Sequence, residues 1–200
     1  YPKLQKALQE LIKNKLTTVQ RIELSNDFIS QESALKSVLK SDMENIRATL
    51  EKINQKTFND VVNSIFSAKR IYIVGLRSST AIAEFLGFYL NLILDNATVI
   101  GYGVSDIFEQ MLNVSEEDLV IGIGFPRYAG RTIEALDYAK SRGANVIAIT
   151  DSLLSPFSAR ADHTLIAQSN MASFVDSLVA PLSVVNALII AVGLREKETI

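Results

Sequence analysis

The pattern of hydrophobic and polar positions divides the chain at about residue 70. No glycine occurs in the first 68 residues. Residues 17–34 are mainly polar and their hydrophobic spacing is interrupted, which indicates a linker. A period near 3.6 residues predicts amphipathic helices on either side of this linker. Apolar residues recur at this spacing in three segments: Leu4, Leu8, Leu11 and Ile12; Leu35, Leu39, Met43, Ile46, Leu50 and Ile53; and Phe58, Val61, Val62, Ile65 and Phe66.

After Arg70, short apolar runs alternate with helical stretches. Runs that are apolar at consecutive positions are typical of strands buried on both faces, and their alternation with helices indicates a parallel sheet. The pattern therefore predicts an α/β fold, a three-layer αβα sandwich with a five-stranded parallel sheet, preceded by N-terminal helices. The predicted strands are Ile71–Val74, Thr98–Ile100, Leu119–Ile123, Val146–Ile149 and a weaker run at Leu165–Ala167; Gly143 is expected to stop the helix before the fourth strand, and a last helix is predicted from about Ser173 to Gly193, with Pro181 inside it.

Composition excludes several classes of function. Twenty Lys and Arg residues against 22 Asp and Glu give a net charge of −2, so no global basic excess is available for nucleic acid or an anionic membrane. The absence of cysteine excludes disulfides and thiolate zinc sites, and a single histidine, His163, argues against a metal site. The apolar stretch Phe174–Val192 contains several polar residues, which favours a buried helix over a membrane span. We expect a cytoplasmic protein without a cofactor.

Three loops that follow predicted strands carry groups suited to an anion, because ligands of parallel sheets bind at the carboxyl ends of the strands. The first loop has one glycine, a cation and hydroxyls, but lacks the other glycines of a dinucleotide-binding loop. Its hydroxyls alternatively only cap a helix. The second loop combines arginines with two aromatic residues, which alternatively anchor the core; the third is equally suited to capping. The candidate ligand-binding residues are Arg77, Ser78, Ser79, Gly124, Phe125, Arg127, Tyr128, Arg131, Thr132, Asp151 and Ser152.

No pair of acidic and basic groups for proton transfer is visible. Glu84, Glu109 and Glu134 follow the ligand loops without an evident partner, and His163 precedes the last predicted strand. Since general acid–base catalysis requires positioned groups of this kind, we expect no enzymatic activity and assign no catalytic residue.

The stretch from about Phe58 to Leu194 resembles a sugar isomerase (SIS) domain. The resemblance lies in Ile71–Gly75 with Ser79, in Gly122–Thr132, in Ala148–Ser152 and in Ala161–Asp162. The whole chain resembles a transcription regulator of the RpiR type, in which a helix-turn-helix domain precedes a SIS domain. The resemblance implies that residues 1–20 are the end of the DNA-binding domain, 21–56 a linker and helix, and 57–200 a SIS domain that binds sugar phosphates.

The second loop departs from the family pattern Ser-x-Ser-Gly-x-Thr, whose hydroxyls hold phosphate. Gly124 and Pro126 stand at the two serines, and Ala129 stands at the threonine. We infer that Arg77, Arg127 and Arg131 replace these hydroxyls as the anion-binding groups. The alternative is that the anion site has been lost and the loop serves packing.

These observations favour the ligand-sensing effector domain of a bacterial transcription regulator. The expected ligand is a phosphorylated sugar or a sugar acid, and DNA would be bound only through the N-terminal domain. The resemblance also implies a homodimer or tetramer, with the interface on the helices at about 35–68 and 173–194. Two alternatives remain: an aldose–ketose phosphosugar isomerase, and a dimerisation module without a ligand.

Overall fold

The computed structural model describes residues 17, 19–20, 30–103 and 105–199. The first predicted helix, most of the predicted linker and most of the segment 1–20 lie outside the described residues.

The described chain forms six α-helices and five strands. The helices are α1 (Ala34–Lys52), α2 (Gln55–Ser67), α3 (Thr80–Leu94), α4 (Ile107–Gln110), α5 (Gly130–Ser141) and α6 (Val179–Thr199), and the strands are β1 (Ile71–Val74), β2 (Ala97–Ile100), β3 (Leu119–Ile123), β4 (Asn145–Thr150) and β5 (His163–Ile166). Helix α2 begins where the Asn54 side chain accepts the backbone N–H of Thr57. Helix α5 ends before Gly143, whose φ of 80° favours glycine, as the sequence predicted.

All five strands are parallel and are arranged in the order β2-β1-β3-β4-β5. Successive residues of a strand point to opposite faces, so Ile71 and Ile73 join the core beneath α2, α3 and α6, whereas Tyr72 and Val74 join the core beneath α4 and α5. The predicted three-layer αβα sandwich with a five-stranded parallel sheet is confirmed.

The last helix begins later than the sequence predicted. Residues 171–178 are neither helix nor strand, and α6 starts at Val179. Pro181 is the third residue of this helix, where the backbone N–H has no partner within the helix, so the proline removes no helical hydrogen bond. The prediction of a helix from Ser173 was therefore wrong. Residues 171–178 instead form a non-helical segment before α6.

By length and composition, α6 is the one helix among the described residues that would be able to cross a membrane, over Val179–Lys197. In the structure α6 packs against α1, α2 and α3. Val185, Leu188 and Val192 are completely buried in the core beneath it.

Helix α1 buries polar residues and exposes apolar ones. Asn45 and Thr49 are buried, because their side chains bond the backbone of residues 168–170. By contrast, Leu35, Met43 and Leu50 are between 68% and 76% exposed. The apolar face that the sequence predicted for this helix is thus unpartnered within the described part of the chain.

Candidate functional site

A cavity of about 250 Å³ lies at the carboxyl edge of the sheet, between the loops that follow β1 and β3. In the observed strand order, β1 lies between β2 and β3, so the chain leaves β1 and β3 towards opposite faces of the sheet. A crevice at this position is where open parallel sheets bind their ligands. The cavity is lined by Leu76, Arg77, Ser78, Ser79, Ile123, Gly124, Phe125, Pro126, Arg127, Ala129 and Asp176.

The first loop is held tightly to its strand. The Thr80 hydroxyl donates to the carbonyl oxygen of Gly75 at 3.0 Å, and a side chain at Gly75 would lie 2.9 Å from the carbonyl oxygen of Ser79. Arg77 has a φ of 61°, a left-handed conformation that is uncommon for any residue with a side chain. This tight turn places buried Ser79 and exposed Ser78 at the wall of the cavity.

The second loop combines packing residues with one cation. Phe125 is 5% exposed and belongs to the core, although it also lines the cavity. A Cβ atom at Gly124 would lie 2.2 Å from the buried ring of Phe157. Gly124 is therefore required by packing against Phe157. Arg127 follows with a φ of 71°, and its side chain reaches into the cavity.

Arg127 forms an ion pair with Asp176 inside the cavity. Its Nη2 atom lies 2.8 Å from Oδ2 of Asp176, and the two side chains are 28% and 12% exposed. The Ser78 hydroxyl donates to the same carboxylate oxygen at 3.3 Å. The Nε atom of Arg127 is buried without a hydrogen-bond partner. Asp176 was missed by the sequence analysis; the available signal was a lone carboxylate at the start of the apolar stretch Phe174–Val192.

Tyr128 and Asp151 lie outside the residues that line the cavity and form a structural contact. The Tyr128 hydroxyl donates to Oδ1 of Asp151 at 2.7 Å, and its ring lies 5.6 Å from that of Phe157. Burial, together with the neighbouring Asp151 carboxylate, raises the pKa of the Tyr128 hydroxyl. Ser152 accepts the backbone N–H of Leu154 at 3.1 Å. These contacts favour the anchoring and capping alternatives for these three residues.

Arg131 and Thr132 also lie outside the cavity lining. Arg131 pairs with Asp106 and with Glu134, and its guanidinium lies 4.9 Å from the centre of the Phe108 ring. Thr132 is completely buried, and its hydroxyl has no hydrogen-bond partner. The structure thus brings together Arg77, Ser78, Ser79, Gly124, Phe125 and Arg127 of the predicted ligand-binding residues.

The start of α5 contributes backbone donors to the same place. Its N-cap residue, Ala129, lines the cavity, and the alanine side chain has no group that could cap the helix. The first N–H groups of a helix have no partner within it, and they mark the positive end of its dipole. The start of α5 therefore borders the cavity beside Arg127.

The acidic residues and the histidine considered from sequence lie away from the cavity. Glu109 reaches back to the backbone N–H of Asp106 in a capping box, and Glu134 pairs with Arg131. Glu84 is exposed on α3. His163 is the first residue of β5, at the amino edge of the sheet, opposite the cavity. Within the described ranges, no group of three or more His, Cys, Asp or Glu residues would hold a metal ion.

Comparisons with known proteins agree with this architecture. Residues 64–191 match the SIS domain family. An uncharacterized HTH-type transcriptional regulator of Haemophilus influenzae is 26% identical over 149 residues, which are 71% of this chain and 48% of that protein. The chain thus spans about half the length of the curated relative that it matches.

Two solved structures extend the comparison. The sugar isomerase domain of the RpiR transcription factor from Sphaerobacter thermophilus is 34% identical, with a TM-score of 0.79 over 83% of this chain and 93% of that one. The NanR protein of Vibrio vulnificus, complexed with ManNAc-6P, shares the fold, with 20% identity and a TM-score of 0.70 over 92% of this chain and 71% of that one. On the matched family and the 34% identity across nearly a whole domain, the chain belongs to the SIS-domain proteins of the RpiR regulator family.

Proposed function

We propose that this chain is the ligand-sensing domain of a cytoplasmic bacterial transcription regulator, and that it binds a phosphorylated sugar in the cavity between the β1 and β3 loops. A helix-turn-helix domain of the whole protein would bind DNA under the control of this site. The observation that carries the proposal is the carboxylate of Asp176 bound on Arg127, because it supports this cavity as a place where an anionic group is stabilised.

The groups around the cavity suit a phosphate. Arg127 offers a guanidinium that can bind two oxygens at once, and Arg77 stands beside it on the first loop. The start of α5, whose N-cap residue Ala129 lines the cavity, adds backbone N–H donors and a favourable dipole. Arginine and backbone donors therefore replace the hydroxyls that the family pattern has in the second loop.

The size of the cavity favours a compact ligand. About 250 Å³ lies just below the usual range for ligand pockets, which favours a monosaccharide over a dinucleotide. The apolar side chains of Leu76, Ile123 and Phe125 form part of its wall. A structural neighbour, the NanR protein of Vibrio vulnificus, is complexed with ManNAc-6P.

A chain of contacts connects the cavity to α1. Asp176 is followed by Ser177, whose hydroxyl donates to Asp42 of α1 at 2.6 Å. Further along α1, Asn45 bonds the backbone of Asn170 through both its amide oxygen and its amide nitrogen, at 3.1 and 2.8 Å. A ligand that moves the segment 171–178 would therefore change the contacts of α1, the first helix of the range 30–199. Such a ligand shifts the state of the regulator only by its difference in affinity for the two arrangements.

A thermal-shift panel of sugar phosphates, each beside its unphosphorylated parent and the corresponding sugar acid, tests the proposal. A ligand at 100 times its Kd raises the free energy of unfolding by about 2.7 kcal/mol, which is readily detected. We expect stabilisation by one or more phosphorylated members and by none of the parents. If no compound in the panel raises the melting temperature, the dimerisation module without a ligand becomes the better interpretation.

We propose binding without catalysis. Among the described residues, Asp176 is the one carboxylate that lines the cavity, and its ion pair with Arg127 disfavours a role as a general base. An aldose–ketose isomerase would exchange a substrate carbon-bound proton with solvent. We expect no deuterium incorporation when the stabilising sugar phosphate is incubated with the protein in D₂O and followed by NMR; incorporation would favour the isomerase.

A further inference from the structure

We propose that Asp176 is an internal counter-ion which a ligand anion has to displace, and that it sets a threshold of binding free energy which phosphate dianions exceed and carboxylates do not. This inference rests on the proposed function, because it concerns the same anion site. It goes further by naming the residue that competes for the site and the charge that a ligand needs.

The Asp176 carboxylate is placed as a ligand oxyanion would be. One oxygen, Oδ2, accepts a hydrogen bond from each of the two loops, from Nη2 of Arg127 at 2.8 Å and from the Ser78 hydroxyl at 3.3 Å. The side chain is 12% exposed, and the residue lines the cavity. A ligand anion on the Arg127 guanidinium would therefore meet this carboxylate at the same donor atoms.

Displacement of a carboxylate by another carboxylate gains little. The incoming group would carry the same charge and would use the same two donors, so the hydrogen bonds that form would be nearly equal in strength to those that break. A phosphate monoester near neutral pH carries up to two negative charges and three terminal oxygens. It would keep the Arg127 hydrogen bond and would also place oxygens near the start of α5, whose N-cap residue Ala129 lines the cavity.

The displaced carboxylate has space to move. Asp176 also lines a second cavity, of about 550 Å³, between α1 and residues 172–179. The segment 171–178 belongs to neither a helix nor a strand. A displaced Asp176 carboxylate would therefore have this second cavity to enter.

The test compares the wild-type protein with Asp176→Asn, which keeps the size of the side chain and removes its charge. Inorganic phosphate and acetate serve as probes at pH 7.5. At this pH phosphate is mainly a dianion and acetate is a monoanion, and neither probe requires a particular sugar. Binding is measured by titration followed in ¹H–¹⁵N NMR spectra. We expect the wild type to bind phosphate at least about tenfold more tightly than acetate, and Asp176→Asn to bind both anions about tenfold more tightly, with the ratio of the two affinities unchanged.

Asp42→Asn is the matched control, because Asp42 holds the same segment through Ser177 without contact to Arg127. Its affinity for phosphate should stay near that of the wild type. Equal phosphate affinity in the wild type and Asp176→Asn, or an equal gain in Asp42→Asn, would overturn the inference while leaving the anion site intact. A failure of both proteins to bind phosphate, together with a thermal-shift panel without any effect, would instead reject the proposed function itself.

Discussion

The guanidinium of Arg77 donates a hydrogen bond to the backbone carbonyl oxygen of Arg127 at 3.3 Å, so the two loops that enclose the cavity are bonded to each other. Both arginines have left-handed backbone conformations, with φ angles of 61° and 71°. Such conformations are disfavoured for residues with a side chain, and they occur preferentially at functional sites. The backbone of both arginines thus has a conformation that is unfavourable for a residue with a side chain, at the place where the two loops enclose the cavity.

Replacement of Arg127 should abolish tight ligand binding. We expect Arg127→Ala to weaken the binding of the stabilising sugar phosphate by about 10- to 100-fold, since a hydrogen bond to a charged group contributes about 1.5–3 kcal/mol. Isothermal titration calorimetry measures this loss. Arg131→Ala is the control, because Arg131 lies four residues away but pairs with Asp106 and Glu134 outside the cavity. Equal losses in the two variants would show that the site is elsewhere.

Replacement of Arg77 should separate stability from binding. Glycine adopts a φ of 61° without strain, so Arg77→Gly should raise the free energy of unfolding by about 0.5–1 kcal/mol while weakening the binding of a sugar phosphate. Arg77→Ala keeps the strain and should weaken binding without this gain. Urea denaturation of both variants checks the difference. A lower stability of Arg77→Gly than of Arg77→Ala would contradict the role of backbone strain.

Gly124 and Gly130 should respond differently to the addition of one methyl group. A Cβ atom at Gly124 would lie 2.2 Å from the ring of Phe157, which is completely buried and has little freedom to move, whereas a Cβ atom at Gly130 meets nothing within 4 Å. We expect Gly124→Ala to lower the free energy of unfolding by about 1–3 kcal/mol and Gly130→Ala to change it by less than about 0.5 kcal/mol. Thermal unfolding followed by circular dichroism distinguishes them, and equal effects would argue against this packing.

The buried carboxylate of Asp118 should make stability depend on acidic pH. Burial by itself raises the pKa of this group, but hydrogen bonds from Arg70 and from both the backbone and the hydroxyl of Ser115 outweigh burial and lower it. Because the pKa in the folded state lies below that of the unfolded state, near 4, the stabilisation is complete above about pH 4 and is lost as the pH falls through the folded-state value.

Asp118→Asn should therefore lower the free energy of unfolding by about 2–3 kcal/mol at pH 7. The difference from the wild type should shrink as the pH is lowered below 4, which urea denaturation at several pH values would measure. Glu117→Gln is the control, because Glu117 and Lys69 form a pair in which both side chains are about 60% exposed, and such pairs contribute less than about 1 kcal/mol. A difference that is independent of pH would exclude the charge of Asp118 as its cause.

The exposed apolar face of α1 should be covered by a second copy of the chain, as the resemblance to paired SIS domains implies. A charge placed on this face would then separate the subunits. We expect Met43→Glu to convert a homodimer into monomers in sedimentation velocity experiments, because Met43 is 68% exposed among other apolar residues of α1. Lys40→Glu introduces the same carboxylate on the polar side of the helix, with an even larger change of charge, and should leave the dimer intact. A wild-type monomer, or a dimeric Met43→Glu variant, would contradict this interface.

The strands and most helices were predictable from sequence because their signals are local. Ile71–Val74 and Leu119–Ile123 are apolar at each or nearly each position because both faces of the sheet are covered, and the observed strands have these same bounds. The loops after them could be identified as candidate sites, since the carboxyl ends of parallel strands meet at one edge of a sheet.

The role of each arginine, in contrast, was decided by the tertiary structure. Arg127 and Arg131 lie in the same loop sequence, but one enters the cavity and the other pairs with Asp106 at the start of α4. Asp176, 49 residues from Arg127, reaches the cavity only because residues 171–178 do not continue the last helix towards its N-terminus. Hydrophobic periodicity records which residues are buried along one element. It contains no information on which charges from distant segments meet, because that depends on how the strand order brings the loops together.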